Sequence, residues 1–301
     1  MTKNPARPAA VRTAGAVLAA SALLLASTVP AAAGGPHDRD SHPSQGRHAS
    51  DRTITVASFN IHHGADSDDV LDLERIADDI ESWDVDVIGL QEVDRHWGAR
   101  SDFQDQAAEL AGMLGMDHCY AANLDQDPTE PGQQRRQYGT AILSTHELQD
   151  CRNTPLPNSE DGEQRGLAQA DVRVRGSEFT FYTTHLTHLG HEGELREKQF
   201  KAVNEIVADS GLPGLLTGDL NAAPHQPEYA TFTTLFDDVW TEVGTGDGFT
   251  FAPDNPSSRI DYILATPEII PLSAEVPEVY SSDHFPVVAE VTLPHPRGTS
   301  R

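Results

Sequence analysis

Two residues near the C-terminal end of the chain have side chains that could do chemistry together. Asp283 and His284 stand side by side, shortly before an apolar stretch at residues 287–291 that is typical of a buried strand. A carboxylate can hold a hard cation, and an imidazole can move a proton near neutral pH. An isolated pair of this kind is also common in a solvated turn, so its meaning depends on the rest of the chain.

Other polar residues stand where predicted strands end. Apolar or alternating patterns at residues 54–60, 86–92, 179–185 and 212–216 are typical of strands. Any single polar residue at such a position is often a cap or a turn residue, but several would form one site if the strand ends meet. Those at or just after these strand ends are Asn60, Glu92, His185, Asp219 and Asn221.

One acidic residue interrupts an apolar pattern. Asp261 lies inside a predicted strand at residues 259–264. Burying a carboxylate is costly unless it has a partner, and His284 could be that partner. Asp261 would then fix the tautomer of His284, much as a carboxylate orients a catalytic imidazole.

The donor atoms bear on which metal the chain could hold. The spacing of His185, His188 and His191 suggests zinc, but this run begins at a strand end and contains glycine, which is unlike most zinc sites. Oxygen ligands favour Mg²⁺ or Mn²⁺ instead. The chain has no Gly-rich phosphate loop, no G-x-S-x-G elbow and no C-x-x-C pair. The oxygen-donor candidates are Asn60, Glu92 and Asp283.

Charge limits the partners. The 301-residue chain carries a formal charge of −26, which repels nucleic acids and anionic membranes at long range. A phosphate substrate is not excluded, because a bound cation can dominate the local field. Six arginines near the polar motifs are either ordinary surface charges or a basic rim around a site: Arg95, Arg100, Arg135, Arg136, Arg165 and Arg259.

Composition divides the chain into four segments. Residues 1–33 combine early positive charge, a short apolar run and Ala31-Ala32-Ala33, which predicts a signal peptide and a secreted protein. Its removal takes away three positive charges and no acidic residue, so the charge becomes −29. Residues 34–52 are predicted as a disordered linker, 53–294 as one domain and 295–301 as a disordered tail. Export favours a Cys119–Cys151 disulfide, provided that the two Cα atoms are close.

Helical spacing of apolar residues alternates with the strands. Helices are expected at residues 73–83, 103–114, 192–209 and 229–235. Several strands are short, adjacent and joined without a helix, which favours α/β architecture with mixed sheets over a purely parallel sheet. The amphipathic helices would cover the outer faces of the sheets.

The motifs together resemble the endonuclease/exonuclease/phosphatase (DNase I-like) superfamily, and most nearly its secreted bacterial metal-dependent hydrolases. The resemblance implies an α/β (α+β) fold, a four-layer sandwich of two mixed β-sheets packed face to face and flanked by helices. It also implies hydrolysis of phosphate esters with a divalent metal, Mg²⁺ in the first place and Mn²⁺ as the alternative. The motifs run in order through residues 53–294: Phe59-Asn60, Leu90-Gln91-Glu92-Val93, Thr184-His185-Leu186, Gly218-Asp219-Leu220-Asn221, Arg259-Ile260-Asp261-Tyr262 and Ser282-Asp283-His284.

The resemblance also implies roles for these residues. Asn60, Glu92 and Asp283 would bind the metal. Asp219 with Asn221 would position the phosphate and the nucleophile. His284, oriented by Asp261, would be the acid/base, and His185 would stabilise the transition state or serve the leaving group.

The substrate stays open at this point. The resemblance favours a nuclease-like phosphodiesterase acting on nucleic acid, followed by a lipid phosphodiesterase of the phospholipase C or sphingomyelinase type acting on a phospholipid headgroup, and then a phosphomonoesterase. The Trp and Cys of inositol phosphatases are absent before Arg259, and no apolar hairpin for membrane insertion stands out. A catalytically dead binding module is the alternative from another class. We expect a monomer without stable membrane insertion.

Overall fold

The computed structural model describes residues 52–296. Twelve strands lie within this part of the chain. They are β1 (Thr53–Asn60), β2 (Val87–Arg95), β3 (Asp117–Gln126), β4 (Arg136–Ser144), β5 (Leu148–Pro155), β6 (Gly166–Val174), β7 (Ser177–His185), β8 (Gly214–Asp219), β9 (Asp237–Asp238), β10 (Asp261–Ala265), β11 (Ile270–Glu275) and β12 (Val287–Thr292).

The strands form two six-stranded mixed sheets. The first sheet has the order β11-β12-β1-β2-β4-β3, and the second has the order β5-β6-β7-β8-β10-β9. Each sheet contains one parallel pair near its middle, β1 with β2 and β7 with β8. The other neighbours are antiparallel. Parallel neighbours need a crossover between them, and a helix supplies it in both cases.

The helices end at recognisable signals. Asp72 caps α1 (Leu73–Ser82) by accepting from the backbone N–H of Arg75. Asp105 caps α2 (Gln106–Leu114) in the same way. The long crossover helix α3 (Gly193–Ser210) is followed by Gly211, whose φ of +69° suits a left-handed C-cap. The remaining helices are α4 (Tyr229–Phe232) and α5 (Val239–Val243), and short 3-10 turns occupy His62–Gly64 and Ala99–Ser101.

Three apolar clusters make the layers. The central cluster joins the inner faces of the two sheets, for example Val56 and Ile142 of the first with Phe181 and Ile263 of the second. A second cluster packs α1 and α2 on the outer face of the first sheet. A third packs α3 and α4 on the outer face of the second. The expected four-layer α/β sandwich is therefore confirmed.

A disulfide joins the edge strands of the two sheets. Cys119 of β3 and Cys151 of β5 are bonded, with their Cα atoms 5.8 Å apart, which confirms the expected pair. The bridge spans 32 positions of sequence, and loop-closure entropy for that length corresponds to roughly 3–4 kcal/mol of stability. The bond therefore ties together edges that no hydrogen-bonded strand pairing connects.

Some predicted boundaries differ from the structure. The second helix begins at Gln106, three residues after the expected start, because Asp105 provides the cap. Strands β5, β9 and β11 and helix α5 were not predicted from the sequence. The predicted signal peptide, nearly all of the predicted linker, and residues 297–301 of the predicted tail lie outside the described residues. No helix between residues 52 and 296 is long and apolar enough to cross a membrane.

Candidate active site

The sheet topology brings the predicted polar residues to one edge of the sandwich. The parallel strands β1 and β2 end together, as do β7 and β8, and a hydrogen bond from Asn60 to Asp219 joins the two sets of strand ends. Strand β10 runs antiparallel to β8 and therefore begins at the same edge, so that Asp261 lies opposite Asp219 in register. His185 lies opposite Asp219 on its other side. Strand β12 is antiparallel to β1, which places Asp283 and His284 there as well.

Asn60 links the two sheets at this edge. Its side chain is fully buried, and its Nδ2 donates to Glu92 Oε1 and to Asp219 Oδ2, both at 3.1 Å. Its Oδ1 accepts from the backbone N–H of His62 at 3.0 Å. One amide thus holds a carboxylate of each sheet at a fixed separation.

A local irregularity aims Glu92 into the cleft. The pairing of β2 with β4 shifts register between Leu90 and Val93, and Glu92 has a φ of +58°. Gln91, before it, is buried and donates to Thr183 Oγ1 of the second sheet at 2.9 Å. A bulge of this kind redirects a side chain without ending the strand. Glu92 consequently lines the cleft instead of the interior between the sheets.

Asp261 and His284 form a buried pair. His284 Nδ1 lies 2.9 Å from Asp261 Oδ2, and both residues are at most 4% exposed. The other ring nitrogen, Nε2, lies 3.7 Å from Asp219 Oδ2 and 4.0 Å from Asp283 Oδ1. Asp261 is the first residue of β10 and not an interior one, as the sequence had suggested. It is nevertheless buried, and His284 is the partner that a buried carboxylate requires.

The electrostatics of this group follow from burial and close charges. Burial alone would lower the pKa of His284, but the carboxylates of Asp261, Asp219 and Asp283 outweigh it and raise the pKa to about 10. The pKa of Asp219 rises to about 7, first because of burial and then because of the Asp261 charge. Burial also raises the pKa of Asp283. A cation bound beside these groups would oppose the rise at His284.

Asp219 and Asn221 build the turn after β8. The backbone N–H of Asn221 donates to Asp219 Oδ1 at 3.0 Å, and Asn221 has a φ of +50°. Asn221 Nδ2 donates to the carbonyl of Leu186 at 3.2 Å. Asn tolerates this left-handed conformation better than most residues do. The turn interpretation is correct for both residues, and both also line the cleft.

His185 occupies the opposite side of Asp219. Its Nε2 lies 3.5 Å from Asp219 Oδ2, and the residue is 4% exposed. Burial lowers its pKa well below the usual value, and the charge of Arg165 lowers it further. His188 meets Arg165 Nη2 through its Nδ1 at 3.2 Å, whereas His191 is exposed. The three histidines therefore do not gather as one zinc site.

The match to known proteins agrees with this geometry. A model of the Endonuclease/Exonuclease/phosphatase family matches residues 57–284. The chain belongs to this family. Its members hydrolyse phosphoric esters, and they typically use divalent metals. No curated protein matches the sequence.

Several solved structures share the fold. A family protein from Beutenbergia cavernae is 26% identical, with a TM-score of 0.70 over 83% of this chain and 74% of its own. The Bacteroides thetaiotaomicron mannosyl-6-phosphatase is 21% identical, with a TM-score of 0.61 over 80% of this chain and all of its own. The human Nocturnin catalytic domain, solved with a bound sulfate anion, is 18% identical, with a TM-score of 0.61 over 80% and 93%.

The residues present fit a divalent cation. Asp283 Oδ1 is buried and has no hydrogen-bond partner among the described residues. Glu92, whose Oε1 accepts from Asn60, lines the same cleft. These are oxygen donors, which suit Mg²⁺ or Mn²⁺. A second cluster at this edge, Asp219 with Asp261 and His284, also presents ligand atoms within 4.8 Å of one another.

The arginines do not form the basic rim that the sequence allowed. Among the six, Arg165 lines the cleft. The other five face carboxylates or backbone elsewhere, because the acidic chain supplies a partner close to each: Arg95 with Asp105, Arg100 with Asp94, Arg135 with Asp125 and Asp127, Arg136 with the Trp97 carbonyl, and Arg259 with Asp238.

Four further residues line the cleft, which has a volume of about 340 Å³. None of the four was predicted as a site residue: Tyr138, Glu163 and Phe251 lie outside the motifs, and Ile260 lies inside one but is apolar. Glu163 had one local signal, since it stands two positions before Arg165 and pairs with it at 3.0 Å. The other three carry apolar or aromatic surface to the cleft, and no spacing rule marks them: Tyr138, Phe251 and Ile260.

Proposed function

We propose that the chain is an exported phosphodiesterase that depends on a divalent metal and in which water attacks phosphorus in line. The observation that carries this proposal is the buried Asp261–His284 pair beside Asp219 and the unpartnered Asp283 oxygen in one cleft. Perturbed acids and imidazoles gathered in a cleft are typical of catalytic sites. The net negative charge of the chain does not oppose the proposal, because a bound cation can dominate the local field.

Glu92, Asn60 and Asp283 would hold the metal, and Mg²⁺ or Mn²⁺ fits their oxygen atoms. When bound, the cation neutralises charge on the phosphate oxygens. The amide nitrogen of Asn60 donates to Glu92 and to Asp219, so it fixes the position of the ligand carboxylate relative to Asp219. The bulge at Glu92 supports this assignment, because it presents the carboxylate to the cleft.

His284 would move the proton. Asp261 holds its Nδ1, which leaves Nε2 directed towards Asp219 and Asp283. The pair thereby fixes the ring orientation that proton transfer at Nε2 needs. Asp219 would position the nucleophilic water, with Asn221 holding the turn that presents Asp219.

On the other side of the cleft, His185 would serve the leaving group or the charge that develops on the phosphate. Arg165 is 3% exposed and lies within contact of His188, so it offers a fixed positive charge next to His185. Fixed charges aimed at developing charge supply a large share of catalysis in many enzymes. The substrates to compare first are a nucleic acid and a choline phospholipid headgroup.

A chromogenic phosphodiester assay tests the proposal. We expect hydrolysis with Mg²⁺, its loss with EDTA, and its return when Mg²⁺ is restored. Glu92→Gln removes a ligand charge and keeps the shape, so turnover should fall by at least a hundredfold while the fold is retained. Glu290→Gln, an exposed glutamate on β12, is the matched control. Turnover of Glu92→Gln within about threefold of the parent would contradict the ligand assignment.

The same assay decides the substrate when nucleic acid and choline phospholipid replace the chromogenic ester. A higher kcat/KM on nucleic acid supports a nuclease, and a higher value on the lipid supports a phospholipase C type. Hydrolysis of phosphomonoesters alone would contradict the diesterase proposal. Binding of these esters without any turnover would favour the dead binding module.

A further inference from the structure

A second group of metal-ligating side chains lies in the loop between β1 and α1. His62, His63 and Asp69 each present one ligand atom, and these atoms lie within 4.8 Å of one another. The rings of the two histidines are 4.4 Å apart between centroids, and His62 Nε2 lies 3.9 Å from Asp69 Oδ1. None of these three residues belongs to the oxygen-donor site proposed above.

The loop backbone sets the tautomer of His62. Its Nδ1 lies 3.3 Å from the carbonyl oxygen of Asp66. A carbonyl oxygen only accepts, so this contact puts the proton on Nδ1 and leaves the lone pair on Nε2. That lone pair is on the nitrogen nearest to Asp69. Metal-binding imidazoles are commonly oriented by such a bond at the other ring nitrogen.

His63 supplies the second, independent observation. It is 6% exposed, and its buried Nδ1 has no hydrogen-bond partner among residues 52–296. Such an atom is costly to bury unless a ligand or water meets it. Burial, and then the charge of Arg100, lowers the pKa of His63 to about 4.

We infer that His62, His63 and Asp69 bind a transition-metal ion of the Zn²⁺ type, with one coordination position open to water. Two imidazole nitrogens and one carboxylate favour such an ion over Mg²⁺. Bonds of about 2.0–2.2 Å require the ligand atoms to come closer together than they are here. Asp69 can supply this movement, because its side chain is 80% exposed.

The site also borders the proposed catalytic centre. His62 Nδ1 lies 4.0 Å from Asp283 Oδ1. A doubly charged ion on the far nitrogen of the same ring adds positive charge close to Asp283. The ion therefore influences the oxygen-donor site through its charge, and the two sites share no ligand.

Co²⁺ serves as a spectroscopic probe of this site. We would titrate the mature chain with Co²⁺ in excess Mg²⁺, which occupies oxygen-donor sites, and follow the visible absorption of four-coordinate Co²⁺. The variants are His62→Gln and Asp69→Asn, and the control is Asp68→Asn, an exposed neighbour in the same loop. Asn at position 69 keeps the fold, because it tolerates the φ of +59° found there.

We expect the visible bands in the parent and in Asp68→Asn, and at least tenfold weaker Co²⁺ binding in the other two variants. Equal affinity in all four proteins would overturn the inference, since the ion would then lie elsewhere, at the Asp219–Asp261–His284 cluster or on other histidines. Absence of the bands in the parent would overturn it as well. Because the readout is absorption, the result does not depend on whether the chain hydrolyses phosphodiesters.

Discussion

The two sides of the cleft treat a buried histidine in opposite ways. His284 and His185 are each 4% exposed, and each has its Nε2 within 3.7 Å of the same atom, Asp219 Oδ2. Nevertheless the pKa of His284 rises to about 10, whereas that of His185 falls well below its usual value. Burial lowers the pKa of both rings, so the neighbouring charges make the difference.

Those neighbours define two sides. On the carboxylate side, Asp219, Asp261 and Asp283 surround His284. On the arginine side, Arg165 and His188 stand next to His185. The first side can keep a proton, and the second keeps its imidazole neutral and presents a positive charge. Two equally buried histidines thus differ in pKa because different charges face them.

The largest effect should come from breaking the carboxylate side. We expect His284→Ala to lower kcat/KM by roughly a thousandfold, and Asp261→Asn by a similar factor, because each change destroys the same unit. The double variant should be little worse than the worse single one. The measurement is kcat/KM at saturating Mg²⁺ for the parent and the three variants. Multiplicative losses would mean that the two residues work independently, and Asp219 would then be the base to test.

Removing the charge of the arginine side should have a smaller effect. Arg165→Gln should lower kcat/KM on a phosphodiester by roughly ten- to a hundredfold, because a charge-assisted contact with the anion contributes about 1.5–3 kcal/mol. Arg173→Gln, on the exposed Arg173–Glu178 pair, is the control. Urea unfolding of the variants separates a loss of binding from a loss of fold, since Arg165 is buried beside Glu163. An unchanged kcat/KM in a folded Arg165→Gln would remove Arg165 from the site.

The opposite pKa shifts should appear as opposite pH dependences of stability in the metal-free protein. His284 has a raised pKa, so its contribution is fully present below its unfolded value of 6.5 and is lost as the pH rises towards about 10. His185 has a lowered pKa, so the unfolded chain takes up the proton first and stability falls as the pH drops below 6.5.

Urea denaturation between pH 5 and pH 9 checks these signs. We expect His284→Gln to flatten the alkaline side of the stability profile and His185→Gln to flatten the acid side. The parent provides the reference for both. The opposite result would refute the electrostatic difference between the two histidines. In that case His284→Gln would flatten the acid limb of the profile and His185→Gln the alkaline limb.

The smallest effect should come from the aromatic wall over His284. Phe251 lines the cleft, is 37% exposed and lies 4.9 Å from the His284 ring between centroids. Phe251→Leu should lower kcat/KM by about threefold to tenfold, as a ring contact contributes about 0.5–1.5 kcal/mol. Phe103→Leu, an exposed phenylalanine outside the cleft lining, should change nothing. Equal effects of the two changes would show that the contact with His284 does not matter.

Local pattern was a good guide to the elements and to the polar strand ends. The alternation at residues 54–60 and 179–185 predicted β1 and β7, and helical spacing predicted α1 and α3. Strand β11 escaped prediction, because it is an edge strand with exposed residues and a proline. Strand β9 has two residues and is too short to carry a pattern.

The sequence by itself determined which side chains would have to meet. An acid in an apolar stretch requires a partner if it is buried, and His284 was the candidate partner for Asp261 before any contact was known. The local apolar patterns also predicted where the strands end, and thus which polar side chains lie at strand ends. Such patterns depend only on residues a few positions apart in the sequence. The same locality explains why the direction of Glu92 was not predictable, because a bulge against β4 redirects it.

Only the tertiary structure decided the chemistry of the site. Asn60 reaches Asp219 across 159 positions of sequence, and His284 reaches Asp261 across 23. Arg165 lines the cleft while Arg259, next to a site motif, is buried against Asp238. Charge interactions depend on distance through space and on burial, not on separation along the chain. The sequence therefore identified His185 and His284 as candidates but did not show their protonation. Only the folded arrangement raises the pKa of His284 and lowers that of His185.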